Sequence, residues 1–323
     1  MRTTLRPLSI GEMLDRAVAL SVRYFVPLAL IWAVFIVPLT IAQYFGTADS
    51  AKAFSSIVDA LSRTGHGADP QAVLRNLQLP QVFNGFTVAY AVLLLFVSPL
   101  ASAALMTSVS EAYLAGRPSS LAQAYRAGAR EWLPLIGVVA LWLGLGLLAY
   151  VALGLVVLVL AVAFALLFAV SKAFAGIFLG VTLIVATLGI FAAAILAGLA
   201  LQVSYYTQVI ERVGVVRSFT LGIARVFGKT LRRSLVVGLA LAAVYVGLTL
   251  VVSIGQWTLF GILHSNVLGL SFAALVGVAI AVFINVFMCL YYYDIRVRIE
   301  GFDLQLAIAP SNPAVVSGLE PPA

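Results

Sequence analysis

The sequence predicts an all-α polytopic membrane bundle with six transmembrane helices, and three observations lead to this prediction. Hydrophobic residues make up 63% of the 323-residue chain and charged residues only 10%, which is more apolar surface than a soluble protein of this size could bury. Several apolar runs exceed the roughly 20 residues that a helix needs to cross a bilayer. A short amphipathic motif also recurs, near Ser9, Ser120 and Val216, and each copy precedes a pair of apolar runs.

The recurrence predicts one membrane domain over residues 1–306, built from three repeats. Each repeat is expected to contain an amphipathic surface helix followed by a helical hairpin. The repeats cover about residues 7–115, 116–212 and 213–306. The Pro-rich end over 307–323 is expected to be disordered.

The first repeat opens with a predicted surface helix over residues 9–23. Ser9 and Glu12 have the spacing of a capping box, in which serine caps the helix and glutamate hydrogen-bonds back to the serine backbone. The apolar residues that follow fall on one helical face, as in a helix that lies along a membrane surface. Pro27 is expected to turn the chain into a first span over about 24–44.

The first hairpin is predicted to contain the only sizeable polar loop, over residues 46–84. About forty residues are too few for an independent core, so this loop is expected to form a lid on the bundle. The second span follows over about 85–108, with a kink expected at Pro99.

The second repeat is predicted from residues 118–130, which match the opening motif. Ser120 and Gln123 again have capping-box spacing, and Pro134 follows as Pro27 does in the first repeat. A surface helix is therefore expected here as well.

The apolar stretch over residues 132–206 is too long for one span. It fits two long, tilted helices that turn near Ser171 and Lys172. Three shorter crossings are the alternative, and they would invert the orientation of everything downstream.

The third repeat is predicted from residues 216–233, without the proline and the capping box. Spans over about 234–263 and 266–293 follow, joined by a tight turn at His264, Ser265 and Asn266. One face of this third surface helix is expected to be formed by Val216, Phe219, Ile223, Val226, Phe227 and Thr230.

The distribution of basic residues predicts the orientation of the spans. With six spans and the amino terminus inside, only Lys52, Arg63, Arg75 and Lys172 lie outside, and the other fifteen of the nineteen basic residues lie inside. This asymmetry follows the positive-inside rule. It predicts that both termini lie in the cytoplasm.

Catalytic and metal-binding motifs are missing from the sequence. His66 and His264 are the only histidines, and Cys289 is the only cysteine and lies within an apolar run. Neither histidine has a second ligand at metal spacing. No nucleophile motif or phosphate-binding glycine loop occurs. We therefore expect no enzyme activity, no cofactor and no metal.

Basic residues beside the spans are candidate contacts for lipid headgroups, because each contributes about 1 kcal/mol near an anionic leaflet. The candidates are Arg126, Arg130, Arg217, Arg225, Lys229, Arg232 and Arg233. They predict membrane lipids, including anionic phospholipids, as partners in place of nucleic acid. The alternative is that these charges only set the orientation of the spans.

A few polar and small residues inside the spans are candidates for a pathway or for helix packing. Ser98, Gln202 and Asn285 could line a path for a solute. Asn285 is otherwise expected to hydrogen-bond a neighbouring helix. Two small-residue patterns predict close helix packing. They are the pair Gly176 and Gly180, and the ridge Gly269, Ala273, Gly277 and Ala281.

The two ends of the chain carry a family resemblance. The closing segment Tyr292–Leu304 reads YYDIRVRIEGFDL and the opening segment Leu5–Arg16 reads LRPLSIGEMLDR. Together they resemble the bacterial membrane-domain family named after glycerophosphoryl diester phosphodiesterases, over about residues 5–306. The resemblance implies a location in a bacterial cytoplasmic (inner) membrane. In that family the domain can precede a catalytic barrel. A barrel needs roughly 250 residues and only a short tail follows Asp303, so the resemblance implies the membrane domain alone.

These expectations combine into a non-catalytic membrane protein of the cell envelope. It would serve as a lipid-associated scaffold or as a module that binds an unidentified protein partner. The alternative is a transporter or permease component that moves a small solute or a lipid.

Overall fold

The computed structural model describes residues 6–35, 37–39, 85–263 and 266–303. These residues form helices joined by short connections and contain no strand. The helices are α1 (Ile10–Arg23), α2 (Phe25–Leu39), α3 (Gly85–Ala115), α4 (Leu121–Val170), α5 (Lys172–Tyr206), α6 (Val215–Phe227), α7 (Leu231–Leu263) and α8 (Asn266–Glu300). The predicted polar loop, the tail and the turn at His264 and Ser265 lie outside the described residues.

The helices confirm an all-α, multi-pass membrane protein. Five of the described helices are long and apolar enough to cross a membrane, and a sixth span is present if α1 and α2 are counted as one bent element. The stretch from 132 to 206 forms two helices, α4 and α5, as the first alternative predicted. Ser171 separates them, and its hydroxyl accepts a hydrogen bond from the Phe174 N–H.

The capping box of α1 is confirmed. The Glu12 N–H donates to Ser9 Oγ over 3.2 Å, and the Ser9 N–H donates to Glu12 Oε2 over 2.9 Å. The Ser9 N–H, assisted by the Arg6 guanidinium, lowers the pKa of Glu12 below its ordinary value. These contacts fix the start of the helix on Ser9.

The bend between α1 and α2 lies at Tyr24 and measures 79°, so the prediction that Pro27 makes the turn is wrong. Pro27 is instead the third residue of α2. A helix has no internal partner for its first four N–H groups, so the missing N–H of proline costs nothing there.

The second repeat begins as predicted but has no separate surface helix. Ser120 and Gln123 form the capping box, yet α4 runs without a break from Leu121 through Pro134 to Val170. The buried residues of its first part are Ala124, Gly128, Glu131, Leu135 and Val138. They form a single helical stripe, in which Gly128 lies against α3 and Glu131 bonds Gln208. The amphipathic segment and the span therefore share one packed face and stay one helix.

Helix α6 is a separate amphipathic helix, and its buried face coincides only in part with the predicted one, since Val226 is fully buried as predicted. Ser218, Gly222 and Arg225 face the bundle, whereas Val216 and Phe227 are 66% and 43% exposed. The predicted apolar face is therefore wrong for these two residues. An exposed apolar edge of this kind suits a helix at a membrane surface, where lipid covers it.

Gly222 allows α6 to approach α5 closely. A Cβ atom at Gly222 would overlap Ser204 Oγ and would lie 2.8 Å from the Ala200 carbonyl oxygen. Gly222→Ala is therefore expected to lower the free energy of unfolding by about 1 to 3 kcal/mol, because the two helices must separate. Unfolding in mild detergent measures this change.

Gly277→Ala is the matched control, since a Cβ at Gly277 meets no atom within 4 Å. Alanine also has the higher helix propensity, so this variant is expected to be neutral or slightly more stable. Equal destabilisation of both variants would contradict the close α5–α6 approach.

The small-residue patterns pack less than predicted. A Cβ at Gly176, Gly180 or Gly277 meets nothing within 4 Å, whereas at Gly269 it would lie 3.2 Å from the Gln256 carbonyl oxygen on α7. The Gly176–Gly180 pair therefore does not form a helix contact within the described residues. The ridge on α8 packs closely only near its start.

The charged residues of the described helices gather at one end of the bundle, which we call the charged end. The carboxyl ends of α3, α5 and α8 and the amino ends of α4 and α7 meet there, together with α1 and α6. Large side chains fill the core behind it, including Tyr206 and Phe287. At the opposite end, Lys172 marks the turn between α4 and α5.

Candidate functional site

Two networks of buried ion pairs lie at the charged end. The Arg225 network consists of Glu211, Arg225, Tyr292, Arg296 and Glu300. The Asp294 network consists of Leu8, Arg233, Asp294 and Arg298. The first joins the π turn and helix α6 to α8, and the second joins the amino-terminal segment to the carboxyl-terminal part of the chain.

The Arg225 guanidinium is the centre of the first network and is buried, with 5% of its side chain exposed. Nη1 and Nη2 donate to the two Glu211 oxygens over 2.7 and 3.1 Å. Nε and Nη2 donate to Glu300 Oε1 over 2.9 and 2.5 Å. The Thr207 hydroxyl accepts a further bond from Nη1 over 2.7 Å. All three guanidinium nitrogens thus have acceptors.

Helix α8 completes the network. The Tyr292 hydroxyl donates to Glu211 Oε1 over 2.5 Å, and Arg296 Nε donates to Glu300 Oε2 over 2.9 Å. The Arg296 guanidinium also lies 3.9 Å from the centre of the Phe302 ring. Two arginines therefore face two glutamates, and the formal charges of the network cancel.

The chain places Glu211 in the network through an irregular helix end. A π-helical turn over Thr207–Glu211 follows α5, and Arg212 then adopts a left-handed conformation with φ of 54°. A π turn inserts an extra residue and so changes the direction of the side chains that follow. Glu211 is buried as a result, whereas 55% of the Arg212 side chain is exposed.

Arg225 is a correction to the predicted lipid contacts, because its guanidinium faces the protein interior. Burial alone would lower the pKa of Arg225, but the hydrogen bonds and charges of Glu211 and Glu300 outweigh burial and raise it above the ordinary value. Arginine is charged in any case. Its role is to compensate the two buried glutamates.

A bridge of hydrogen bonds and one ion pair, without net charge, adjoins this network. Gln208 Nε2 donates to Glu131 Oε2 over 3.0 Å, and the Ser218 hydroxyl donates to Gln208 Oε1 over 2.8 Å. Arg212 Nε forms an ion pair with Glu131 Oε1 over 3.2 Å. The bridge joins α4, the π turn and α6, and it satisfies the buried Glu131.

The Asp294 network holds the amino-terminal segment against α8. Asp294, whose side chain is fully buried, accepts a hydrogen bond from the Leu8 N–H over 2.8 Å. Arg233 Nε and Arg298 Nε donate to its oxygens over 2.8 and 3.0 Å. Both arginines also donate to the Leu8 carbonyl oxygen, over 2.5 and 3.0 Å. The Leu8 backbone is thus held through both its donor and its acceptor.

Arg233 is the second correction to the predicted lipid contacts. Only 22% of its side chain is exposed, and its guanidinium is shared between Asp294 and Leu8. The network carries two positive charges and one negative charge.

The remaining predicted lipid contacts are exposed. We call this set the basic collar, and it consists of Arg126, Arg130, Arg217, Lys229 and Arg232. Within the described part of the chain, none of them forms an ion pair with an acidic side chain. Arg126 and Arg130 lie on α4, Arg217 lies on α6, and Lys229 and Arg232 flank the start of α7.

The three predicted pathway residues are not brought together by the hydrogen bonds of the described residues. Ser98 on α3 is exposed and Gln202 on α5 is half-buried. Asn285 Nδ2 donates to the Ala281 carbonyl oxygen of its own helix over 2.9 Å. The link from α5 to α8 is instead the Tyr206 hydroxyl, which donates to the Asn285 carbonyl oxygen over 2.6 Å. The prediction that the Asn285 side chain bonds a neighbouring helix is wrong.

Sequence reasoning missed the buried acids Glu131, Glu211 and Asp294. Each carries an arginine partner, and the described residues contain no group of three His, Cys, Asp or Glu side chains that could hold a metal. One signal in the sequence pointed to these pairs, since acidic and basic residues both occur at the ends of several different spans.

Comparison with family models, curated proteins and solved structures found no match for the chain.

Proposed function

We propose that the protein is a non-catalytic, lipid-associated scaffold whose basic collar binds anionic phospholipid headgroups. The observation behind this proposal is the separation of the basic residues into two classes. Arg225, Arg233 and Arg298 are engaged by carboxylates in the buried networks. The collar residues point outward, where no acidic side chain of the described residues pairs with them.

The buried networks are best explained as structural elements. A buried charge is tolerated when it is paired and hydrogen-bonded, and Glu211 and Asp294 each accept at least three hydrogen bonds. A general acid or base needs a proton position that substrate can reach. The arginine partners of these carboxylates occupy that position.

The collar has the position and charge needed for a membrane surface. Its residues lie on α6 and at the starts of α4 and α7, and the exposed Val216 and Phe227 of α6 suit contact with lipid. Five basic residues at about 1 kcal/mol each would contribute about 5 kcal/mol toward an anionic leaflet. We further propose that the charged end faces the cytoplasm of a bacterial cell, on the basis of the positive-inside rule. A protein partner on this scaffold is part of the same proposal.

The resemblance of the two chain ends to the phosphodiesterase-associated membrane-domain family stays a prediction. The structure gives both ends a common role, since Leu8 from the opening segment is hydrogen-bonded to Asp294 from the closing segment. A membrane domain of that family would be consistent with a scaffold in an envelope that handles phospholipids.

The basic collar is tested by replacing all five of its residues with glutamine. The purified variant is expected to retain less phosphatidylglycerol per protein than the unaltered chain, because its exposed counter-charges are gone. Lipid extraction and mass spectrometry measure the ratio. Lys172→Gln, at the opposite end of the bundle, is the control and should leave the ratio unchanged. An unaltered ratio in the collar variant would refute headgroup binding by the collar.

A further inference from the structure

Two residues of the basic collar, Arg126 and Arg130, lie about one helical turn apart on α4, and both are exposed. We call them the arginine pair. The buried residues of this part of α4, such as Ala124 and Gly128, lie on the other side of the helix. Side chains four residues apart on a helix are neighbours, with about 5 to 6 Å between their Cβ atoms. The arginine pair therefore extends from one outward face of α4.

No carboxylate of the described residues forms an ion pair with either arginine. The acid nearest in sequence, Glu131, is buried and is already engaged. It forms an ion pair with Arg212 over 3.2 Å and accepts a hydrogen bond from Gln208 over 3.0 Å. Like charges one turn apart repel each other and destabilise a helix. The arginine pair thus leaves two uncompensated positive charges side by side, and a ligand with two negative charges would remove their repulsion.

The surface of α4 changes from charged to apolar within one turn of the arginine pair. Leu133 lies on the same side of α4 as Arg126 and is 70% exposed. From Trp132 to the end of α4 the helix carries no charged side chain. Arginine side chains at the end of an apolar span lie at the membrane interface. The arginine pair is therefore expected at the level of the lipid phosphates.

The start of α6 adds a second apolar surface nearby. A Cβ atom at Gly137 would lie 3.0 Å from both methyl groups of Val215. Helix α6 therefore begins against α4, about two turns from Arg130. The next residue, Val216, is 66% exposed. Leu133 and Val216 thus offer apolar side chains to the acyl chains of a lipid whose headgroup contacts the arginine pair.

We propose that the arginine pair selects a lipid whose headgroup carries two phosphates over a lipid whose headgroup carries one. This inference rests on the proposed binding of anionic phospholipids by the basic collar, and it names the headgroup class that one part of the collar prefers. Guanidinium groups match phosphate oxygens in geometry and form short, charge-assisted hydrogen bonds with them. Two linked phosphates compensate both guanidinium groups, whereas a single phosphate leaves one positive charge without a partner. Basic sites beside membrane helices bind headgroups of this kind.

The other residues of the basic collar lack this arrangement. Arg217 is the only collar residue on α6. Lys229 lies in the turn before α7 and Arg232 lies in its first turn, so these two side chains do not share a helical face. Removing Lys229 and Arg232 takes the same charge from the same end of the bundle. It is therefore a matched control for removing the arginine pair.

The test compares a pair variant, Arg126→Gln with Arg130→Gln, with a control variant, Lys229→Gln with Arg232→Gln. Delipidated protein in mild detergent is titrated separately with cardiolipin, which has two phosphates, and with phosphatidylglycerol, which has one. Native mass spectrometry counts the bound lipid. The ratio of the two affinities is expected to fall about fivefold in the pair variant, the effect of one basic residue near an anionic lipid. The control variant should keep the ratio of the unaltered chain.

A spacing variant keeps the net charge and changes only the geometry. Arg126→Gln with Ala129→Arg places the second arginine next to Arg130, about 100° around the helix instead of one turn along it. Ala129 is exposed, so this variant is expected to fold as the unaltered chain does. Its preference for cardiolipin should fall as in the pair variant. A preference equal to that of the unaltered chain would show that net charge alone decides, and it would overturn the proposal.

Inorganic pyrophosphate separates a lipid site from a site for a free anion. It carries two linked phosphates without acyl chains, and at millimolar concentration it should leave cardiolipin bound. Displacement of cardiolipin by pyrophosphate would contradict the assignment of a lipid to the arginine pair. Thermal unfolding of the variants without lipid should match that of the unaltered chain, because every changed position is exposed. A changed ratio then reports binding and not folding.

Failure of this inference is distinguishable from failure of the proposed function. If the pair variant keeps the cardiolipin preference while the five-residue collar variant loses phosphatidylglycerol, the collar binds lipid but the arginine pair does not select the headgroup. If the collar variant retains phosphatidylglycerol, headgroup binding by the collar is refuted, and the selection proposed for the arginine pair is refuted with it.

Discussion

Arg225→Gln is expected to destabilise the protein by about 3 to 5 kcal/mol, because it leaves Glu211 and Glu300 without their shared buried counter-charge. Arg225 donates to both carboxylates and to Thr207, and glutamine can replace only a fraction of these bonds. The loss should appear as a lower unfolding temperature and a lower denaturant midpoint in mild detergent. The π turn and α6 should separate from α8 first, since Arg225 connects them.

Arg217→Gln is the matched control for this prediction. Arg217 lies on the same helix and is exposed, so its loss should change stability by no more than about 0.5 kcal/mol. A second comparison combines Arg225→Met and Arg296→Met with Glu211→Gln and Glu300→Gln. Removing the whole charged group should recover much of the lost stability. If Arg225→Gln were as stable as Arg217→Gln, the buried network would not hold these helices together.

Asp294→Asn is expected to cost about 3 to 5 kcal/mol as well, since Arg233 and Arg298 would then be left without a compensating negative charge. Asp294 is the common acceptor for both arginines and for the Leu8 N–H. Its loss should also release the segment that begins α1. Hydrogen exchange at the Leu8 amide and the first turn of α1 should accelerate.

Asp15→Asn makes the same chemical change on α1 at an exposed position, and it should leave both stability and exchange at Leu8 unchanged. Acceleration confined to the Leu8 segment would identify local release, whereas acceleration throughout the bundle would indicate global unfolding. Exchange at Leu8 that is equally slow in Asp294→Asn and Asp15→Asn would contradict the tether between the two chain ends.

The helices could be predicted well because bilayer length and helix caps are local signals. The long apolar stretch divides at Ser171 as expected, and both capping boxes form at Ser9 and Ser120. The continuity of α4 through Pro134 was not predictable by the same reasoning. It depends on the face that α4 buries against α3, which only the tertiary arrangement decides.

The candidate site was predicted less completely. The position of the basic residues beside the spans predicted that all seven lipid-contact candidates lie at the surface. The side chains of Arg225 and Arg233 instead face inward. Their acidic partners, such as Asp294, are distant in sequence or on other helices, and helical periodicity carries no information about such pairs. The outward position of Arg126 and Arg217 follows directly from their place on amphipathic segments.

The length of the α4–α5 hairpin has a consequence for the kind of bilayer the protein prefers. The 39 residues from Trp132 to Val170 carry no charged side chain, and at 1.5 Å per residue they extend about 58 Å. Even at a tilt of about 40° this segment spans about 45 Å, compared with a hydrocarbon core of about 30 Å. The membrane around the hairpin must thicken locally or the hairpin must bend. The protein should therefore partition into the thicker of two coexisting lipid phases.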